Sequence, residues 1–276
     1  MANLEKSLRP DLRIAVAGQG AIGTRVVEAL DRGMDGLVLT AVSVQNPEKH
    51  RSRLAGLRRP PAILPIEALA DVADIVIECV PSQLVRSIVA PFVGRGKTAV
   101  VLSAGALLDH EDLMELAKLH GGQIVVPTGA LIGLDAVTAA AVGQIHSVKM
   151  VTRKPPRGLA GAPYVVDNNI DLEQITEPRK IFDGTAREAA RGFPANVNVA
   201  AALSLAGIGP DRTKIEIWAD PSVTRNMHRI EVASDSACFS MAIENIPSEN
   251  PKTGLITALS VIACLRKLRG SLRVGT

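Results

Sequence analysis

The 276-residue sequence predicts an α/β protein, an N-terminal doubly wound parallel sheet followed by a second, α+β domain with a mixed or antiparallel sheet. Three observations predict it. A short apolar run, Arg13 to Ala17, empties into Gly18-Gln19-Gly20-Ala21-Ile22-Gly23 and then into a helical pattern. Strand and helix patterns alternate from residue 12 to 127, as parallel sheets with helical crossovers require. Further on, strands follow one another with short turns between them, as in an antiparallel layer backed by helices. The predicted division is 1–127 for a dinucleotide-binding (Rossmann) domain, 128–248 for a substrate domain, and 249–276 for a helix returning to the first domain.

Each element has its own warrant. Gly36 opens a second strand, Leu37 to Val44, and Lys49 to Arg59 behind it reads as a basic loop. Pro60-Pro61 breaks the chain, Ile66 to Ala70 reads as a short helix, and Asp74 to Val80 as a buried strand closed by Pro81. The helix Gln83 to Phe92 and the strand Thr98 to Ser103 follow, with Ala104-Gly105-Ala106 where a nicotinamide half would sit. Asp109 to His120 has the acidic start of a helix and ends at Gly121-Gly122, and Gln123 to Pro127 is a last short strand. In the second half, helices are predicted at Leu134 to Ala141, Ile181 to Arg191 and Pro194 to Ala206. Strands are predicted at His146 to Arg153, Thr213 to Ala219, His228 to Ala233 and Ala237 to Ile243. Asn250-Pro251 opens a final helix, Thr253 to Leu268.

Composition narrows the function. Hydrophobic residues make up 47% of the chain and aromatics only 2%, so the core is built from Ala, Val, Leu and Ile. With 31 basic and 28 acidic residues interspersed, there is no basic face for nucleic acid, and stacking platforms for single strands are lacking. No apolar run approaches the ~20 residues of a membrane span, and Met1 to Pro10 is too polar for a signal peptide. Cys79, Cys238 and Cys264 are widely spaced in apolar contexts and read as reduced core residues of a cytoplasmic protein.

The glycine motif carries the first chemistry. Gly18 permits the tight turn, Gly20 admits a pyrophosphate to the backbone, Gly23 packs the helix on the strand, and the helix N-terminus at Ala21 and Ile22 faces the phosphates. Cys79, Val80 and Pro81, at a strand's carboxyl end, should lie beside the same coenzyme. The second strand ends Ser43-Val44-Gln45-Asn46, without the acidic residue that would hold ribose hydroxyls for NAD. With Lys49, His50, Arg51 and Arg53 behind it, a 2′-phosphate meets no repulsion and NADP is expected to be accepted alongside NAD, unless the basic segment is merely a solvated loop.

Among five histidines, His50, His110, His120 and His146 read as surface or structural. His228 follows an Asp-Pro-Ser turn and opens a strand, so it either faces a cleft from a fixed frame or is a satisfied strand-edge residue. Asn196 and Asn198 are poor helix formers at the start of an apolar helix; one caps it and the other is left for a ligand.

Six segments then carry a family resemblance: VAGQGAIGTRVVEAL, VPTGALIGLDAV, VTRKPP, FPANVNVAAALSLAG, DPSVTRNMHRIEV and NPKTGLITALS, in order along nearly the whole chain. Together they resemble L-aspartate dehydrogenase. The resemblance implies NAD(P)-dependent oxidative deamination of L-aspartate to oxaloacetate and ammonia through iminoaspartate, which in some organisms feeds quinolinate and NAD synthesis. It implies His228 as the catalytic histidine, and Ala130 and Asn198 as coenzyme contacts. An imidazole at its ordinary pKa of about 6.5 suits water activation and proton transfer. Arg153, Lys154 and Arg225 are the basic residues nearest these motifs and the candidates for the substrate carboxylates. Two alternatives stay open: a two-domain reductase of the homoserine dehydrogenase or dihydrodipicolinate reductase type, and a non-catalytic nucleotide sensor. A homodimer is expected from the apolar surface of the final helix and the second sheet.

Overall fold

The computed structural model describes residues 10–194, 198–247 and 254–275. Its first layer runs β1 (Leu12–Ala17), α1 (Ala21–Arg32), β2 (Leu37–Ser43), α2 (Pro47–Ala55), β3 (Ala62–Ile63), α3 (Leu69–Val72), β4 (Ile75–Glu78), α4 (Val85–Val93), β5 (Thr98–Val101), α5 (Ala104–Leu107), α6 (Asp112–His120) and β6 (Gln123–Val125). The six strands are all parallel, in the order β3-β2-β1-β4-β5-β6. The order reverses at β1, and a ligand crevice opens outside the carboxyl ends of strands flanking such a reversal. Ile14, Val16, Ile77 and Val100 pack with Val26, Val27 and Leu30 of α1 on one face of this sheet, and Phe92, Val89 and Leu69 cover the other.

The second layer runs α7 (Leu134–Ala140), β7 (Ile145–Lys154), α8 (Pro163–Asp167), β8 (Arg179–Thr185), α9 (Ala186–Gly192), α10 (Asn198–Ala206), β9 (Thr213–Ala219), β10 (Asn226–Ser234) and β11 (Cys238–Asn245), and the chain ends on α11 (Leu255–Arg269). The sheet order is β11-β10-β7-β9-β8, mixed because β7 and β9 are parallel while the other pairs are antiparallel. Inward residues such as Val148, Met150, Ile215, Ile217 and Ile230 bury against Val137, Ala189 and Leu203 of the helices. α11 leaves this layer: Val261, Ile262 and Leu265 join the core that holds α1 against β1.

Three elements differ from the sequence-based reading. Ile181 to Arg191, predicted as one helix, is strand β8 followed by α9. Thr185 makes a capping box with Glu188, which starts the helix only at Ala186. A register shift between Lys180 and Phe182 buries Ile181 and Phe182 together, so the two-residue alternation of a strand is lost there. The basic segment behind β2 is helix α2, with Asn46 accepting from Lys49 N and Pro47 in its first turn. The cysteines are not uniformly core residues: Cys238 is exposed on β11, while Cys79 and Cys264 are partly buried. The proposed Asn250-Pro251 cap and Asn196 lie outside the described residues.

Candidate active site

Backbone contacts shape the turn between β1 and α1. Gly18 sits at φ +96°, where a Cβ would collide with the Cys79 carbonyl, and its N–H donates to Ser43 O at 2.8 Å. A Cβ at Gly23 would run into the Gly18 carbonyl, so α1 is seated directly on the turn. At Gly20 nothing lies within 4 Å of the Cβ position, and no side chain caps α1. An uncapped helix start beside open backbone fits a pyrophosphate.

Glu78 organises the neighbouring strand ends. Wholly buried, it accepts from Val80 N at 2.9 Å and Ser103 Oγ at 3.0 Å on Oε1, and from Leu102 N at 3.0 Å and Ser103 N at 2.9 Å on Oε2. Burial pushes its carboxyl above the usual range, while the four donors pull the other way. One carboxylate thus ties the ends of β4 and β5 together. Val80 and Ser103 then form part of a cavity wall.

That cavity, about 460 Å³, lies between the two layers. Of the sequence-predicted residues, Gly20, Ala21, Ile22, Gly23, Cys79, Val80, Pro81, Ala130, Asn198 and His228 line it. Gly18 does not; it shapes the turn from behind. Asn198 reaches across the layers, its Oδ1 accepting from Gly105 N at 3.1 Å. From α11, Ser260 Oγ accepts from Gly129 N at 3.1 Å, so the C-terminal helix steadies the loop that carries Ala130.

His228 is 4% exposed, and its Nδ1 lies 3.0 Å from Thr152 Oγ1 on the paired strand, which leaves Nε2 for a ligand. Burial, and then the charge of Lys154, lower its pKa from the ordinary 6.5 to about 3. The imidazole is therefore neutral in the empty site, well below the ordinary value taken from sequence. Lys154 is equally buried and lines the same cavity; burial lowers its pKa to about 8. Asn245, 3% exposed, donates from Nδ2 to Ala130 O at 2.9 Å, while its Oδ1 is buried without a hydrogen-bond partner.

Other candidates fall away from the cavity. Arg153 pairs with the buried Asp220 at 2.9 Å and stacks 4.9 Å over Trp218, and Arg225 is exposed. Neither Arg153 nor Arg225 lines the cavity, nor does any of the other four histidines. Glu78 and Asn245 were not singled out from sequence, although Asn245 continues the inward alternation Phe239, Met241, Ile243 on β11.

Near the glycine turn, Arg53 projects from α2 and its Nη2 donates to Gln19 Oε1 at 2.6 Å, while Nη1 is buried with no partner. The basic segment is thus a helix that aims one guanidinium at the turn. Among the described residues no helix is long and apolar enough to cross a membrane.

Comparison with known proteins bears on this site. The family model for the C-terminal domain of aspartate dehydrogenase matches residues 135–268, and that for the NAD-binding domain of homoserine dehydrogenase matches residues 18–127. The L-aspartate dehydrogenase of Bradyrhizobium diazoefficiens is 66% identical over 272 residues, covering 99% of this chain and 97% of the relative. L-aspartate dehydrogenase 3 of Bordetella bronchiseptica is 55% identical over 271 residues, covering 98% of this chain and all of the relative. The crystal structure of aspartate dehydrogenase from Thermotoga maritima superposes with a TM-score of 0.74 at 23% identity, over 96% of this chain and 99% of that one, a likeness of fold.

Proposed function

The chain belongs to the L-aspartate dehydrogenase family and is an NAD(P)-dependent oxidoreductase, and from that premise we propose that it oxidatively deaminates L-aspartate to oxaloacetate and ammonia through iminoaspartate. One observation carries the reading to this chain's own residues: the glycine turn and the buried His228 line a single cavity between the layers. A nicotinamide coenzyme held at the turn would supply the acceptor for the hydride that leaves the substrate Cα.

The protein's own share is to position, exclude water and move a proton. Gly20 and the start of α1 would take the pyrophosphate, and Asn198, its Oδ1 held by Gly105 N–H, would offer its amide hydrogens to the coenzyme. His228, its Nδ1 held on Thr152 Oγ1, presents Nε2 to the cavity and takes a proton from the water that attacks the imine carbon, the substrate's carboxylates raising its pKa from the low value of the empty site. In reverse, the imidazolium returns that proton as the carbinolamine loses water. Arg53, with a buried and unpartnered Nη1, supports use of NADP alongside NAD by offering a 2′-phosphate a charged partner. Val151, Trp218 and Met227, around a depression of about 500 Å³ on the outward face of the second sheet, support a homodimer formed there, which sedimentation of the purified protein tests.

The experiment is loss of reduced-nicotinamide absorbance with oxaloacetate and ammonium, using NADH and NADPH in parallel, with His228→Ala as control. Consumption that requires ammonium and falls at least about a hundredfold in the variant supports the reading. Tight coenzyme binding without turnover on oxaloacetate and ammonium refutes it in favour of a different reductase or a sensor.

A further inference from the structure

We propose that a polar row across the end of the second sheet, Lys154 on β7, Asn226 on β10 and Asn245 on β11, holds the substrate, Lys154 taking its side-chain carboxylate and Asn245 Oδ1 accepting from its amino nitrogen. The proposal rests on the function read above and names the residues that would make it specific for a four-carbon diacid.

The row follows from strand register. Asn226 faces Asn245 directly, and the pairing of Met227 with Arg153 brings Lys154 opposite Asn226 at the next position. His228 pairs with Thr152 and Ile243 in the row two residues along, so both rows share one face of the sheet. That spacing is about 7 Å, and directly paired side chains start about 5 Å apart. All three residues of the row line the cavity with His228.

The two ends of the row differ in chemistry. Among the described residues that line the cavity, Lys154 carries the one formal positive charge, and it sits on the rigid end of a strand. Of the three basic candidates from sequence, Arg153 pairs with Asp220 and stacks on Trp218 on the opposite face, Arg225 is exposed, and Lys154 is the one that lines the cavity. At the other end, Asn245 has its Nδ2 committed to Ala130 O, which fixes the amide and leaves Oδ1 as a buried acceptor with no donor. A buried acceptor of that kind is completed by a ligand bringing an N–H, and a carboxylate could not complete it. A ligand with an anion at one end and a hydrogen-bond donor at the other fits both, and the amino nitrogen of the substrate read above is such a donor.

Length assigns the groups. β7 and β11 lie two strand spacings apart, about 10 Å, and the Lys154 side chain spans part of that gap. The α-carboxylate shares its carbon with the amino group, so the carboxylate that reaches the Lys154 end is the distal one. Burial holds the Lys154 ammonium near its titration range in the empty site, and a carboxylate seated on it restores the charged form.

The test compares Lys154→Met, Lys154→Arg and Asn245→Leu with the wild type. Coenzyme affinity measured by nicotinamide fluorescence serves as the check on folding. With ammonium as amine donor, the wild type prefers oxaloacetate to pyruvate, and Lys154→Met is expected to reduce that preference about 30-fold or more, with Lys154→Arg in between. Asn245→Leu is expected to raise the KM for ammonium about tenfold and leave the preference intact. Calorimetric binding of succinate, which has no amino group, should weaken in Lys154→Met and not in Asn245→Leu. A wild type inert towards oxaloacetate and ammonium refutes the reading of function. An active wild type whose Lys154→Met form keeps both the preference and the succinate affinity, or whose Asn245→Leu form keeps the ammonium KM, refutes the row alone.

Discussion

Replacing Glu78 by glutamine changes one atom in the floor of the cavity and should be felt in both stability and coenzyme binding. All four partners of the carboxylate can donate, three backbone N–H groups and the Ser103 hydroxyl, so the ionised form fits them. A carboxamide offers one acceptor. Its better orientation keeps oxygen towards Leu102 N and Ser103 N and turns NH₂ towards Ser103 Oγ, whose proton then goes to Val80 O, 3.2 Å away. Val80 N–H is left facing a donor. An orphaned buried N–H costs about 1–3 kcal/mol, and loss of charge assistance on the remaining bonds about 1 kcal/mol more. The expected loss is therefore about 2–4 kcal/mol by urea unfolding, with coenzyme Kd raised about tenfold because Val80 and Ser103 line the site. A Glu78→Gln protein within about 0.5 kcal/mol of the wild type, with unchanged coenzyme affinity, would refute the view that this carboxylate ties β4 to β5.

Other expectations follow from the same geometry. Gly23→Ala drives a Cβ into the Gly18 carbonyl and should cost both stability and coenzyme binding, whereas Gly20→Ala meets open space and should keep its melting temperature while losing coenzyme affinity. For His228, with a native pKa of about 3 against 6.5 when unfolded, the unfolded chain binds the extra proton. Stability should fall as pH drops from 6.5 towards 3, by up to about 1.4 kcal/mol per pH unit, and His228→Leu should flatten that limb of the urea-midpoint profile. Lys154, with a native pKa of about 8 against 10.5, has the same sign in a higher window: stability should rise between pH 8 and 10.5. Lys154→Met should be more stable than the wild type at pH 7 by on the order of 3 kcal/mol, seen as a higher melting temperature. Arg53→Ala should weaken NADPH at least about tenfold and NADH little, in paired fluorescence titrations.

The first layer was legible because parallel strands buried on both faces are continuous apolar runs punctuated by glycine and proline, and Ile14 to Ala17 shows both signals at once. Helix α2 carried its own signal in Asn46-Pro47, an N-cap followed by proline, but the charges behind it suggested a solvated loop. β8 was lost to its bulge, a feature of pairing that no single strand displays. In the site, the glycine turn was legible from local pattern, whereas for His228 the local pattern left a strand-edge residue open and the family resemblance singled it out. Glu78 was not, because its four partners come from two separate strand ends and nothing local marks a carboxylate as fully satisfied. Lys154 and Asn245 stood on inward pleats, but only the register of β7, β10 and β11 brings them side by side.

That register also explains how a chain with so apolar a core tolerates a buried lysine, a buried histidine and an unmatched amide within one cavity. Lys154 and Asn245 each lower stability in the empty protein near neutral pH, since burial opposes charge on Lys154 and Asn245 Oδ1 lacks a donor, and His228 does so below its ordinary pKa of 6.5. They sit on a sheet whose inward residues, Val148, Met150, Ile215 and Ile230, are packed against helices, which opposes relaxation of the sheet to bring water to them. A loop carrying the same groups would move to solvate them and lose their mutual placement. Held on a sheet, they keep their mutual placement for a ligand with an anion and a hydrogen-bond donor at the right separation. The instability of the empty site is then the measure of its selectivity, and Lys154→Met should gain stability as it loses selectivity.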